Sequence, residues 1–295
     1  MGHLKAAGDM LRKGYDRFQA MLGWDDPYTP VAANDYGELL HAQGKYYEVR
    51  DMYAKCLVSL GKLVGKQHPH YLMVTNNLGR ICWALGTNDP LDYFDEAYRG
   101  FDSLVGLGHF CTLTIALNRA RTRAARGEFE HAYEAVGTIQ NKLCSSIGDE
   151  FPLTLACEIV LGLVAASRGE PGSFILAKKY FTNAVETARG LGLTYGSDYF
   201  LGLCLLILVL KQLEVDEDTM RRYSTLLDPS STAIQDLSPW FMPGHGTMSV
   251  SDFLDMDPEA FQWTTYIPLA IGENVRLRWG RKCCWREADK AQIVG

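Results

Sequence analysis

Nine glycines constrain this chain more than any other feature. Gly23, Gly65, Gly106, Gly148 and Gly192 recur at spacings of 42, 41, 42 and 44 residues. Gly44, Gly86, Gly127 and Gly169 recur at 42, 41 and 42, roughly midway between the first set. The two ladders cut each unit into two pieces of about twenty residues. Each piece carries helix-period apolar positions and ends near a glycine, the residue that accepts the left-handed backbone just past a helix end. A repeat of about 40 residues with two helices per unit is an α-solenoid. The expectation is therefore an all-α fold over residues 4–227. It is a right-handed superhelix of about five helix pairs with first helices inside, preceded by an N-terminal capping helix and followed by a non-repeat extension over 228–295.

The pieces read in order as follows. Residues 4–21 form the capping helix, with Leu4, Leu11, Tyr15 and Phe18 on one face. Its phase is that of a second helix whose first helix is absent. Thr29-Pro30 opens the next helix, threonine as the cap and proline in the first turn. Tyr46, Val49, Tyr53, Leu57 and Leu60 line its partner. The later pairs are Tyr71–Leu85 with Pro90–Val105, Thr112–Arg126 with Phe129–Ser145, and Pro152–Arg168 with Phe174–Gly190. The last is Tyr195–Leu213 with Glu217–Leu227. Asp89 caps the helix from Pro90, and Pro171-Gly172-Ser173 lengthens the turn of the fourth unit. Twelve residues before each first-ladder turn stands a bulky group, Leu11, Tyr53, Phe94, Val136 or Tyr180. These are read as core, packing each second helix on its own first.

The residues between the glycines carry a resemblance. Leu22-Gly23 with Asp26-Pro27-Tyr28-Thr29, Gln43-Gly44-Lys45-Tyr46 with Tyr53 and Leu57, Asn76-Asn77-Leu78, His68-Pro69, and Leu117-Asn118 with Gly127-Glu128-Phe129 and Ala132 recur in repeat order. The stretch from about residue 8 to 212 thereby resembles the kinesin light chain type of tetratricopeptide repeats. The resemblance implies a concave face made by the first helices. It also implies that the second asparagine of each Leu-Asn-Asn-Leu motif faces it and holds a peptide backbone. Counted back from the second ladder, the matching positions are Asp35, Asn77, Asn118 and Val160. One helical turn further lie Glu38, Arg80, Arg121 and Leu163. Asp35, Glu38, Asn77, Arg80, Asn118 and Arg121 are the expected peptide-binding set. Asparagine both donates to and accepts from a peptide backbone, and arginine grips a carboxylate. Asp35 departs from the pattern and cannot donate.

Composition narrows the function classes. With Asp and Glu outnumbering Lys and Arg for a net charge of −6, neither nucleic acid nor an anionic membrane is the expected partner. No charged-then-apolar leader opens the chain, and Ala6 stands where a myristoylation signal wants Ser or Thr. The apolar run Tyr199–Leu210 is too short to span a bilayer. Eight cysteines without a C-x-x-C pair read as reduced thiols in a cytoplasmic protein. No nucleophile elbow, phosphate loop, dinucleotide fingerprint or H-E-x-x-H is present. His68, His70, His245 and the adjacent Cys283 and Cys284 carry no metal or catalytic signature of their own. No catalytic residue, metal ligand or cofactor is assigned.

These readings favour a non-enzymatic scaffold that captures a peptide or protein segment, one with apolar residues flanked by acids. Two alternatives stay open. One is a solenoid recruited as an enzyme or small-molecule binder, its apolar pocket closed by the C-terminal tail. The other is the sensor part of a larger signalling protein, since the first repeat is incomplete. Ser251–Asp257 places Phe253, Leu254 and Met256 among acids. It either occupies the chain's own groove or caps the exposed face of the fifth unit.

Overall fold

The computed structural model describes residues 2–146, 152–170, 172–192 and 197–227. These residues form eleven helices and no strand. They are α1 (Gly2–Leu22), α2 (Tyr28–Ala42), α3 (Tyr46–Leu63), α4 (Pro69–Leu85), α5 (Pro90–Val105), α6 (Phe110–Ala125), α7 (Phe129–Ser146), α8 (Pro152–Arg168), α9 (Ser173–Gly190), α10 (Ser197–Gln212) and α11 (Glu217–Ser224). Residues 228–295, and with them Ser251–Asp257, His245, Cys283 and Cys284, lie outside the described residues.

Both ladders do what their spacing requires. Every ladder glycine among the described residues has a left-handed φ, between +62° and +84°. At the ends of α2, α4 and α6 a second bond recurs. The N–H groups of Lys45, Thr87 and Glu128 reach back to the carbonyls of Leu40, Cys82 and Arg123, each at 3.0 Å. This closing bond needs the left-handed residue before it. The fifth rung of the second ladder is present without glycine. Glu214 adopts φ +47° after α10, and the Val215 N–H donates to the Leu210 carbonyl.

The helix starts follow their own ladder, and one expectation is corrected here. Thr29 does not cap α2: the helix already begins at Tyr28, and the buried Thr29 hydroxyl has no hydrogen-bond partner. The residue before α2 is Pro27, which has no side-chain cap, and it is Asp26 one position earlier whose carboxylate accepts from the Tyr28 N–H at 2.9 Å. His68 and His109 stand at the matching positions before α4 and α6. Their Nδ1 atoms accept from the N–H groups of His70 and Cys111 at 3.2 and 3.3 Å. The His68-Pro69 turn is thus a helix cap. Asp89 caps α5 as expected, accepting from the Leu91 N–H at 2.9 Å.

In the first, second and fourth repeats a bulky second-helix residue lies against a glycine of the first helix. A Cβ on Gly37 would meet the Tyr53 ring at 2.5 Å, one on Gly79 the Phe94 ring at 2.8 Å, and one on Gly162 the Phe181 ring at 2.4 Å. Tyr53, Phe94 and Phe181 are fully buried. The fourth unit corrects the register. Phe181, not Tyr180, is the packing residue: the three residues added at Pro171-Gly172-Ser173 carry it to twelve residues past Gly169 instead of eight or nine, and the stretch from it to Gly192 is one residue shorter than in the units before. In the third unit the glycine position is Ala120, and the bulky position shrinks in step to Val136. Leu11 is the exception at the other end, 39% exposed on α1.

The described helices fall into two compact units, one ending at Ile115 and the other beginning at Ala116, within α6. In the first, α1 packs on α2, α2 on α3, α3 on α4 and α4 on α5, and α2 also touches α4. In the second, α7 packs on α8, α8 on α9, and α10 on α9, α8 and α11. The core of the second unit is the more apolar. Leu201–Leu210 is buried without interruption. Among the described residues no helix is long and apolar enough to cross a membrane. The described cysteines are free, and all but Cys144 are buried. Burial pushes the thiols of Cys56, Cys157 and Cys204 up to about 12, so these three are packing groups with no thiolate at neutral pH.

Candidate functional site

The expected residues of the first unit come together on α2 and α4. Asn77 donates to the Asn34 side-chain oxygen at 2.8 Å. One turn along, Arg80 places Nη1 at 3.1 Å from both Glu38 oxygens. Its Nη2 lies 3.2 Å from His41 Nδ1. Arg80 is only 5% exposed and Glu38 14%. Tyr53 donates its hydroxyl to Glu38 at 3.4 Å. Asn76 donates to Asn77 at 3.3 Å. Asp35 is exposed and accepts from Asn34 at 3.3 Å.

This arrangement fixes protonation states. Guanidinium is a donor only, so His41 Nδ1 must accept, and the imidazole is neutral with its proton on Nε2. Burial, and then the Arg80 charge, push His41 down to about 4, with the Glu38 carboxylate opposing. The cluster therefore holds one cation and one anion at neutral pH, joined across a low-dielectric seam.

In the second unit Asn118 and Arg121 lie on α6. Both are buried, and Arg121 is the largest fully buried side chain among the described residues. Its charge acts on the Cys157 thiol of α8, against the larger effect of burial. The Glu158 carboxylate of α8 accepts from Gln140 of α7 at 2.7 Å, and burial pushes it above the usual carboxylate range. A further cluster joins α7, α8 and α9. The Tyr133 and Tyr180 hydroxyls lie 2.6 Å apart, and Arg168 stacks over Tyr133 while pairing with Glu130 at 2.7 Å. Val160 and Leu163, the fourth-unit counterparts of the asparagine and arginine positions, are fully buried. Among the described residues no group of three or more His, Cys, Asp or Glu side chains is placed to hold a metal ion.

Comparison with solved structures decides the architecture. The nearly identical TPR-like repeats of a Podosopora anserina protein assigned as a kinesin light chain superpose with a TM-score of 0.52 at 14% identity, over 68% of this chain and 94% of that one. A point variant of the same repeats gives 0.51 at 15% identity, over 68% and 92%. BtubC (BKLC) from P. vanneervenii gives 0.50 at 15% identity, over 76% and 88%. The fold is a kinesin light chain-like TPR array. No protein-family model matches the sequence, and neither does any curated protein.

Within this TPR-like array, sequence reasoning placed Asn77, Arg80, Glu38, Asn118 and Arg121 on first helices, as they are found. It missed Asn34 and His41. Both had a signal, since Asn34 stands one repeat before Asn76, and His41 one repeat before Trp83 beside the second-ladder glycine. The Tyr133–Tyr180 contact had none, because it depends on the lengthened turn before α9.

Proposed function

We propose that this chain is a non-enzymatic protein-interaction scaffold that holds a peptide or protein segment against the first helices of its TPR-like repeats. Asp35, Glu38, Asn77 and Arg80 serve in the first unit, and Asn118 and Arg121 in the second. One observation carries the reading. The fold does not need polar groups at these positions, since α8 fills the same two with Val160 and Leu163, both fully buried. Burying asparagine and arginine instead costs desolvation, and a binding role accounts for that cost.

The first-unit geometry sets how a ligand enters. Arg80 is already held by Glu38, so an acidic ligand reaches it by exchanging with that carboxylate. The partner class this favours is an apolar segment flanked by acids, whose binding weakens with added salt. Ser251–Asp257 is the segment of this chemistry within the chain. A chain ending at residue 228 separates its two roles: stronger partner binding if the segment is a ligand, earlier melting if it is a cap over α10.

A pull-down with mass spectrometry, run on wild type and on the Asn77→Ala, Asn118→Ala double variant, tests the proposal. Proteins retained by wild type should be lost from the variant while circular dichroism confirms its helices. Retention of the same proteins by both would contradict it.

A further inference from the structure

One carboxylate oxygen of the second unit is enclosed and unmet. Glu158 of α8 is 8% exposed. Its Oε1 accepts from Gln140 of α7 at 2.7 Å. Its Oε2 is enclosed and accepts no hydrogen bond. Burial raises the pKa of this carboxyl, while Gln140, with Asn183 and Lys179 of α9, favours the charged form. None of the three bonds to Oε2, and Asn183 and Lys179 are exposed. Protonation does not satisfy the oxygen, since the neutral acid turns an unmet acceptor into an unmet donor. A buried polar atom in that state costs free energy.

Beside this carboxylate the chain leaves room. Tyr133, Gly137 and Gln140 share one face of α7. Tyr133 meets Tyr180 of α9 hydroxyl to hydroxyl at 2.6 Å, and Gln140 meets Glu158. Between them, a Cβ on Gly137 would meet nothing within 4 Å. A glycine in a helix interior disfavours the helix, and none of the described residues fills the space this one leaves. The notch is bounded by two tyrosine hydroxyls, each with an accepting lone pair to spare, and by a carboxylate with one oxygen lacking a donor. Arg168, stacked over Tyr133, is already matched by Glu130.

We propose that the notch between α7 and α9 binds the ammonium of a lysine side chain from a basic protein segment, with Glu158 Oε2 as its counter-charge. The geometry selects among cations. A guanidinium grips a carboxylate through two parallel bonds, and Oε1 is already taken by Gln140. An ammonium is a compact point charge on a flexible stem, suited to one open oxygen with hydroxyl acceptors beside it. The chain's net charge of −6 draws basic segments. The exposed Asn183 and Lys179 side chains move aside to admit the ligand. The notch is built on second helices, so it is separate from the acidic-segment site on the first helices.

An NMR titration of the full chain with the peptide acetyl-Gly-Lys-Gly-amide tests this, with the matching arginine and norleucine peptides as controls. The lysine peptide should shift the Gly137 amide and Asn183 side-chain signals saturably. The norleucine peptide should not, and the arginine peptide should bind more weakly. Glu158→Gln should weaken lysine-peptide binding by about tenfold or more. That variant keeps the side chain's shape and removes a buried charge, so the fold survives. Gly137→Leu should weaken binding as much by filling the notch without touching Glu158, and leucine favours a helix. Absence of shifts at these signals, equal binding of the arginine peptide, or lysine binding that survives either variant would overturn the proposal.

Discussion

Glu38 and Arg80 occupy the same position in successive repeats, 42 residues apart, and bind each other with both carboxylate oxygens 3.1 Å from one guanidinium nitrogen. Each was expected to face a ligand, and in this structure each faces the other. With Arg80 nearly fully buried, replacing it with Met leaves the Glu38 carboxylate in a poorly solvated seam. The cost should be about 2–4 kcal/mol. Adding Glu38→Gln should recover much of that loss, because no unpaired charge then remains. Urea unfolding of the two single variants and the double variant measures both effects.

His41 gives the seam a pH dependence with a defined sign. Its pKa falls from 6.5 to about 4 on folding, so the folded state disfavours the imidazolium. The stabilisation is fully present above pH 6.5. As pH falls from 6.5 to about 4, the unfolded chain takes up a proton that the folded chain refuses, and stability is lost on the order of 2–3 kcal/mol. His41→Gln should flatten this part of the stability profile, as read from urea midpoints between those two pH values.

The start of α2 offers an opposed pair of substitutions. Asp26→Ala removes the acceptor for the Tyr28 N–H and should cost about 0.5–2 kcal/mol. Thr29→Val keeps the shape of a fully buried side chain and removes a hydroxyl that has no partner. It should be neutral or stabilising by about 0.5–1 kcal/mol. Thermal melts of the two variants should move in opposite directions, or the second not at all.

The backbone positions separate in the same manner. Gly162→Ala places a methyl 2.4 Å from the Phe181 ring and should destabilise by about 1–3 kcal/mol. Glu214→Gly relieves a left-handed φ of +47° and should stabilise by up to about 1 kcal/mol. Chemical denaturation checks both.

The sequence revealed the parts of this molecule that depend on backbone conformation alone. Left-handed turns select glycine, so Gly44, Gly86 and Gly127 announced the helix ends, and only the rung filled by Glu214 was hidden. Side-chain partnerships were harder to read. The Glu38–Arg80 pair joins repeats, and no local periodicity states which of two like positions reaches the other. Thr29 looked like a cap because threonine before proline is a common start. The repeat register of Asp26, His68 and His109 would have corrected it. Tyr180 was chosen over Phe181 by counting back from Gly192, whereas counting forward from Gly169 past the three added turn residues gives Phe181. Asn118 and Arg121 were located, but their complete burial depends on packing that composition does not reveal.

Whether the polar first helices bind a segment is tested most directly by amide hydrogen exchange, comparing the protein alone with the protein bound to a segment recovered by pull-down. Binding of the proposed kind should slow exchange in α4 and α6, around Asn77, Arg80, Asn118 and Arg121, with smaller changes in the second helices. Protection confined to α3, α5, α7 and α9, with α4 and α6 unchanged, would contradict the account.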